Sequence, residues 1–466
     1  MTIDEKLRLI RGMLESPETA DPPEVFRDVI TSLDRDSLLE SVRRYATPHY
    51  YVDLGGFSER ARFFRETFGK EIPRSVFFYA MKSNDLPAIV QAAGAAGYHA
   101  DTAGGLELRL ALKLGFGKII YTSPGKTEAD LRFAVRHRGR VIINLDNTDE
   151  FELLKRVVRD KRAAVKIRLS IRIDFGGVSG VWSKFGVPLD GLKELIGKIR
   201  ADGFCLNGLH FHSSWNTGPD AYIANLTRLA EYLRENFAPG ELSGIGFIDI
   251  GGGFFPEGTA YLNLYSPGGA IDHALAEYGG VKPGDTEFDP YAFRIVPVSP
   301  LTEFAQRIGG CVRDKIEPLL PKIEIYLEPG RFLSFHSTTI LLKVLSVKPQ
   351  GAIVDGGVNM TGDYRFSEFS FAPIVNLSRF SVRPNRMTIY GPLCDPCDIW
   401  GQTYFGEGIE AGDVLAVLHQ GAYTYSCAWH FIQALPRYIA KSGKRFFVAA
   451  RGETFRDKYG GCRTGR

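Results

Sequence analysis

Between Ser75 and Gly330 the chain alternates short apolar runs with amphipathic stretches eight times, and that alternation leaves few folds open. Ser75–Met81, Tyr98–Ala103, Lys118–Ser123, Arg140–Asp146, Ala163–Ser170, Cys205–Ser213, Ile245–Gly251 and Lys322–Glu328 are brief, apolar and flanked by turn residues, as strands are. The stretches between them carry helical spacing. In Asp220–Asn236, Ile223, Leu226, Leu229, Ala230 and Leu233 recur at steps of three and four, which marks one buried face. Leu106–Leu114, Glu128–Arg136, Asp149–Arg159 and Leu192–Arg200 repeat the pattern. A sustained strand–helix order implies an α/β protein with a parallel sheet, and eight units favour closure into a (β/α)8 barrel over an open, doubly wound sheet. Gly251-Gly252-Gly253 does not rescue the open sheet. It lacks G-x-G-x-x-G spacing and runs into Phe254-Phe255-Pro256 rather than a helix.

From about Ile340 the pattern changes. Ile340–Val347, Gly351–Val354, Met387–Tyr390 and Asp413–Leu418 read as strands separated by Pro, Gly and Asp/Asn clusters, which predicts a C-terminal all-β domain. The expected organisation is a helical N-terminal segment, 1–50, contributing to the β domain; a barrel over 51–335; and the β domain over 336–466. Residues 255–300, rich in Tyr, Gly and Pro, exceed the spacing of the units and are expected as a long, ordered insertion in the barrel.

Charge and composition narrow the function. A net charge of +3, spread along the chain, gives no basis for nucleic acid or an anionic membrane as partner. No apolar run approaches the roughly 20 residues that span a bilayer, and the first residues lack a signal-peptide pattern, so a cytoplasmic protein is expected. Six scattered cysteines make no disulfide framework. Cys394-Asp395-Pro396-Cys397 has C-x-x-C spacing, but zinc needs two further ligands and no second such pair exists, so no metal is expected.

Barrels of this kind keep their chemistry at the carboxyl ends of the strands. Lys82 ends the first strand, His212 the sixth, Gly251–Gly253 the seventh and Glu328-Pro329-Gly330-Arg331 the eighth, and closure sets these ends side by side. A lysine shielded from water loses its proton and can condense with an aldehyde, which is how pyridoxal phosphate is held. The glycines leave backbone N–H groups accessible to a phosphate, and Arg331 adds a charged contact. Glu328 can face a protonated pyridine nitrogen, and His212 can stack on the ring. Each has a plainer reading: a tight turn, a Glu328–Arg331 pair, or a core histidine at 212 with His210 facing the opposite side of the strand. All of these plain readings at one rim would be a coincidence.

The segments Tyr79-Ala80-Met81-Lys82-Ser83-Asn84, Gly208-Leu209-His210-Phe211-His212, Asp249-Ile250-Gly251-Gly252-Gly253-Phe254, Glu328-Pro329-Gly330-Arg331, Gly391-Pro392-Leu393-Cys394-Asp395 and Gly421-Ala422-Tyr423 carry a family resemblance. In this order they resemble the fold-type III pyridoxal-phosphate decarboxylases, which include the ornithine, arginine and diaminopimelate decarboxylases, from about Thr47-Pro48 to Tyr423. Within that group the chain is most similar to the D-ornithine/D-lysine decarboxylases. The resemblance implies a pyridoxal-phosphate-binding, alanine-racemase-like barrel with Lys82 as the cofactor lysine and His212 against the ring. It implies Glu328 at the pyridine nitrogen, with Asp101, Gly252, Gly253, Gly330, Arg331 and Tyr423 also around the cofactor. It further implies a homodimer with shared active sites, in which Cys394 and Asp395 enter from the other subunit and Cys394 returns a proton to Cα.

Departures from the family pattern bear on the substrate. Relatives carry His-x-Gly-Ser where this chain has His212-Ser213-Ser214-Trp215, so a bulky indole replaces the phosphate-binding serine and is expected to shape the substrate pocket. After the second strand, Gly104 and Leu106 replace the usual Ser and Gly, while Asp101 and Glu107 remain. Asp395 and Asp398 add negative charge suited to an ammonium tail. The expected reaction is decarboxylation of D-lysine or D-ornithine to cadaverine or putrescine. If Arg365 reaches the pocket it would instead hold a carboxylate and favour meso-diaminopimelate, giving L-lysine. An L-ornithine, L-lysine or L-arginine decarboxylase is a further reading. An amino-acid racemase would need a second acid/base, for which Tyr423 is the candidate, and the Cys394-Asp395 pair argues against it. A catalytically inactive regulator would be expected to lack Lys82, Arg331 or Cys394, and all three are present.

Overall fold

The computed structural model describes residues 2–14, 25–158, 161–176, 183–262, 271, 274, 275, 279, 293–362 and 370–462. The chain divides into two units.

Leu54–Pro256 and Val298–Phe335 form the barrel unit. Its strands are β1 (Ser75–Ala80), β2 (His99–Thr102), β3 (Ile119–Thr122), β4 (Val141–Leu145), β5 (Arg168–Asp174), β6 (Cys205–His210), β7 (Phe247–Asp249) and β8 (Glu324–Leu327). Every neighbouring pair is parallel, with β4 on β5 and β8 on β1 completing the ring. Helices follow the strands as the periodicity predicts. Asp220–Asn236 buries Tyr222, Leu226, Leu229, Ala230 and Leu233, with each leucine contributing about 1.5–3 kcal/mol of hydrophobic stabilisation. One strand falls later than expected. Lys161–Ala164 is helical and β5 starts at Arg168. Its buried Leu169, Ile171 and Ile173 alternate with Arg168, Ser170 and Arg172, so the strand has period two rather than one apolar run.

That period builds the barrel interior in layers. Phe78, Ile120, Ile142, Phe247 and Tyr326 form an apolar floor, with the Phe247 and Tyr326 rings stacked at 4.2 Å. Gly208 admits the Phe247 ring, since a Cβ there would lie 2.2 Å from it. Two residues further along the same strands stand Thr122, Asn144, Asp249, Glu328 and His210, all buried. The apolar floor therefore carries a polar layer at the carboxyl ends of the strands.

Met1–Asp53, Glu257–Pro297 and His336–Arg466 form the β unit. Its sheet runs Gly351–Val354, Pro384–Tyr390, Ile399–Phe405, Ile374–Asn376, Val414–Val417, Thr338–Lys348, His49–Asp53, Tyr438–Ser442 and Arg445–Ala450. The long Thr338–Lys348 strand also pairs with Gly351–Val354, closing the first six into a ring. Helices Val25–Thr31 and Arg35–Tyr45 supply Phe26, Ile30 and Leu38 to the core around Leu341, Val375 and Phe405. The 255–300 segment differs from the expectation of a barrel insertion. Its described strands Ala260–Leu262 and Phe293–Ile295 pair antiparallel with each other, the former also pairs with Ser370–Phe371, and so the segment joins the β unit. Among the described residues no helix is long and apolar enough to cross a membrane.

Candidate active site

Lys82 sits on the single turn Met81–Ser83 that follows β1. The Tyr79 hydroxyl donates to Asn84 O at 2.9 Å and Ser83 Oγ to Ala80 O at 2.9 Å, so hydrogen bonds tie down the turn on both sides of the lysine. Gly330 lets β8 close on it, because a Cβ there would lie 3.0 Å from Ala80 Cβ and from Ser83 Oγ. Lys82 is half-buried. Its charge acts on Asp101, His212 and Glu328, which places the four groups in one electrostatic neighbourhood.

The loop after β7 is built by close approach. Gly251 and Gly253 have φ of +72° and +91°, a region that disfavours side chains. A Cβ on Gly252 would lie 2.3 Å from Glu328 O, and one on Gly253 would lie 1.8 Å from Ser213 O. Their N–H groups are not all open to a phosphate as the sequence suggested. Gly251 N donates to Asp249 Oδ1 at 2.9 Å and Gly252 N to His212 Nδ1 at 3.1 Å. Gly253 N is the member of the three with no partner among the described residues. The Gly252 bond fixes His212 as the tautomer protonated at Nε2. Burial, with the Lys82 and Arg172 charges, holds that imidazole well below its usual pKa and therefore neutral.

Glu328, Asp249 and Asp101 are three buried carboxyl groups at this rim. Burial, then the charge of Glu328, pushes Asp101 up to about 8. Burial also raises Glu328, with Lys82 and Arg172 opposing. His210 Nε2 lies 3.5 Å from Glu328 Oε2, and burial keeps this histidine neutral too. It does not face the opposite side of the strand, because residues two apart in a strand share a face. Asp101 Oδ1, Glu328 Oε1, Asp249 Oδ2 and both His210 nitrogens are buried polar atoms without a protein hydrogen-bond partner. Such atoms are costly unless a ligand or shared proton satisfies them.

Arg331 opens the turn Arg331–Ser334, its guanidinium 5.5 Å from the Phe255 ring centre. Trp215 has φ of +55° and is 61% exposed. Its loop is fixed by Asn216, whose N–H donates to Gly253 O at 2.9 Å and whose Nδ2 donates to Ser213 O at 2.9 Å.

The remaining candidates lie on the β unit, except that Arg365 falls outside the described residues. Cys394 is exposed, Asp395 and Tyr423 are half-buried, and Tyr423 has φ of +60°. Asp398 requires a correction. It is 2% exposed and its carboxylate accepts from Val358 N at 2.8 Å and Leu393 N at 2.6 Å. It holds the Cys394 loop in place from within rather than offering charge to a substrate. Gly391 makes room, since a Cβ there would meet both Asp398 oxygens at 2.3 Å.

Sequence reasoning assigned no role to Arg172, His210, Asp249 or Glu107. Glu107 accepts from Ala103 N at 2.6 Å and burial pushes it up to about 7. Period-two spacing along β5 and β6 is the signal that would have turned Arg172 and His210 inward.

A lysine on a tied turn, a glycine loop with an open N–H, a neutral histidine and a carboxylate lacking a donor together suit an aldehyde cofactor bearing a phosphate and a protonated ring nitrogen. The comparisons agree. Residues 55–286 match the family described as pyridoxal-dependent decarboxylase, pyridoxal binding domain. A diaminopimelate decarboxylase of Aquifex aeolicus is 26% identical over 422 residues, 87% of this chain and 89% of that one. A lysine/ornithine decarboxylase of Selenomonas ruminantium is 24% identical over 399 residues, 84% and 88% of the two chains. The crystal structure of diaminopimelate decarboxylase from Helicobacter pylori complexed with L-lysine shares the fold, with a TM-score of 0.70, 21% identity and coverage of 91% and 98%. Residues 55–286 are thus similar to the pyridoxal-binding domain of the pyridoxal-dependent decarboxylases, and this protein is a carboxy-lyase with pyridoxal phosphate as its cofactor.

Proposed function

We propose that the protein decarboxylates a basic amino acid at a D centre, with D-lysine or D-ornithine as substrate and cadaverine or putrescine as product. The observation that carries this reading is Trp215, a largely exposed indole on a loop pinned by Asn216. An indole face attracts an ammonium group, which favours a substrate ending in a cation over one ending in a carboxylate.

Bound at the barrel rim, pyridoxal phosphate supplies an electron sink for the pair left on Cα when carbon dioxide departs. Lys82 would be the amine that anchors it. Glu328 would hold the proton at the ring nitrogen, neutral His212 would pack against the ring face, and Asp101 feels the Lys82 charge. Gly252 and Gly253 shape the loop that takes the phosphate, while Gly330 lets Arg331 approach. Tyr423 is assigned to the phosphate, and Cys394 delivers the proton to Cα with Asp395 toward the substrate's ammonium end. Cys394 and Asp395 serve the barrel of a second copy in a homodimer.

The second reading is meso-diaminopimelate decarboxylation, favoured by the similarity to the Aquifex aeolicus enzyme. Loss of the carboxylate from the D centre of the meso compound leaves L-lysine, so the two readings share a stereocentre and differ at the far end. Incubating the holoenzyme with D- and L-lysine, D- and L-ornithine, L-arginine and meso-diaminopimelate, and measuring amine and L-lysine formation, decides between them. Turnover confined to the L isomers defeats both, and turnover of meso-diaminopimelate alone defeats the first.

A further inference from the structure

Glu328 is not held by a donor of the ordinary kind. Its Oε1 is buried without a protein partner, and so is Asp249 Oδ2. Asp249, Glu328 and His210 each present one ligating atom within 4.8 Å of the other two, and all three residues are buried. Asp249 Oδ1 already accepts from Gly251 N, which orients the carboxyl group and leaves Oδ2 to Glu328. Two acceptor oxygens facing each other away from water repel unless a proton lies between them.

We propose that Asp249 is a positioning residue for the cofactor ring, carrying a proton at Oδ2 and donating it to Glu328 so that one fixed carboxylate faces the pyridine nitrogen. This rests on the assignment of Glu328 to that nitrogen. The electrostatics agree on which partner holds the proton. Burial and the neighbouring Glu328 charge raise Asp249 well above the usual carboxylate range, whereas Lys82 and Arg172 draw Glu328 back toward ionisation. Asp101 and neutral His210 are the other titratable groups facing the pair. The same cations disfavour a metal ion in this cluster. Asp249 thus lets Glu328 remain charged while buried, and it ties that charge to the glycine loop through Gly251.

Asp249→Asn and Asp249→Ala separate the roles in the full-length holoenzyme. The amide of Asn keeps an oxygen for Gly251 N and offers an N–H to Glu328, whereas Ala supplies neither. Pyridoxal phosphate release is expected within about threefold of wild type for D249N and about tenfold faster or more for D249A, the loss of one buried hydrogen bond. The wild-type-minus-variant infrared difference should also show, for both variants, the loss of one buried, protonated carboxyl component beyond those of Asp101 and Glu107, a readout independent of turnover and of cofactor affinity. D249N releasing cofactor as fast as D249A, or a band unchanged in D249N, overturns the proposal. Glu328→Gln serves as the control. Unchanged cofactor release in E328Q overturns the ring-nitrogen assignment itself, even where the infrared band still reports a protonated Asp249.

Discussion

Removing the Asp398 carboxylate tests whether it is an internal strut or a substrate contact. Asp398→Ala strands Val358 N and Leu393 N, which the carboxylate accepts at 2.8 and 2.6 Å. Both residues are buried, so water does not replace the acceptor at either N–H without the loop opening. At about 1–3 kcal/mol for each unsatisfied group, D398A should lose about 2–6 kcal/mol. Asp398→Asn keeps one acceptor but turns an amide N–H toward the other donor, so about half of that loss is expected. Trp400 makes a local reporter. It is 1% exposed, two residues along, and its indole N–H donates to Gly356 O at 2.7 Å. Urea unfolding followed by tryptophan fluorescence measures the difference. A double-mutant cycle with Gly391→Ala sharpens it, because the added methyl meets the Asp398 oxygens at 2.3 Å in wild type and loses those contacts in D398A. Gly391→Ala should therefore destabilise wild type and cost little in D398A. If D398N unfolds like wild type and only its KM for the amino acid rises, the internal role is wrong.

Two further perturbations follow from the geometry. Gly252→Ala places a methyl group 2.3 Å from the backbone oxygen of Glu328 and forces the ends of β7 and β8 apart, so it should cost about 1–3 kcal/mol and weaken pyridoxal phosphate binding at least about tenfold, read by thermal unfolding and cofactor titration. His49 is buried, its Nδ1 donating to Ala46 O at 2.6 Å and its Nε2 lying 3.0 Å from Ser41 Oγ, and burial pulls it down to about 4 from the ordinary 6.5. The unfolded chain then binds the extra proton first, so stability from this group is complete above pH 6.5 and falls as pH drops toward 4, by about 3 kcal/mol in all. His49→Gln should flatten that part of the stability–pH curve, and an unchanged slope would refute the assignment.

Local patterns were legible where neighbours in sequence are neighbours in space. Asp220–Asn236 and Glu128–Arg136 are helices between the residues that their periodicity marks. The glycines at 251–253 announced a tight loop, but which N–H groups remain open depends on Asp249 and on His212, a residue just beyond another strand. The β unit was harder to read because its pairings are remote. His49–Asp53 lies between Thr338–Lys348 and Tyr438–Ser442, and no local period announces such partners. Asp398 was misread for a related reason. An aspartate beside a cysteine loop looks like available charge until the donors that enclose it, one of them forty positions earlier, are in view. His210, Asp249 and Glu328 show the converse, since three polar residues in apolar strands look like interruptions until barrel closure gathers them on one layer.

The account turns on one amine. Borohydride reduction of the holoenzyme, followed by proteolysis and mass spectrometry, should place a pyridoxyl group on the peptide containing Lys82 and leave Lys82→Ala unlabelled. A pyridoxyl group on any other lysine, with Lys82 unmodified, would contradict it.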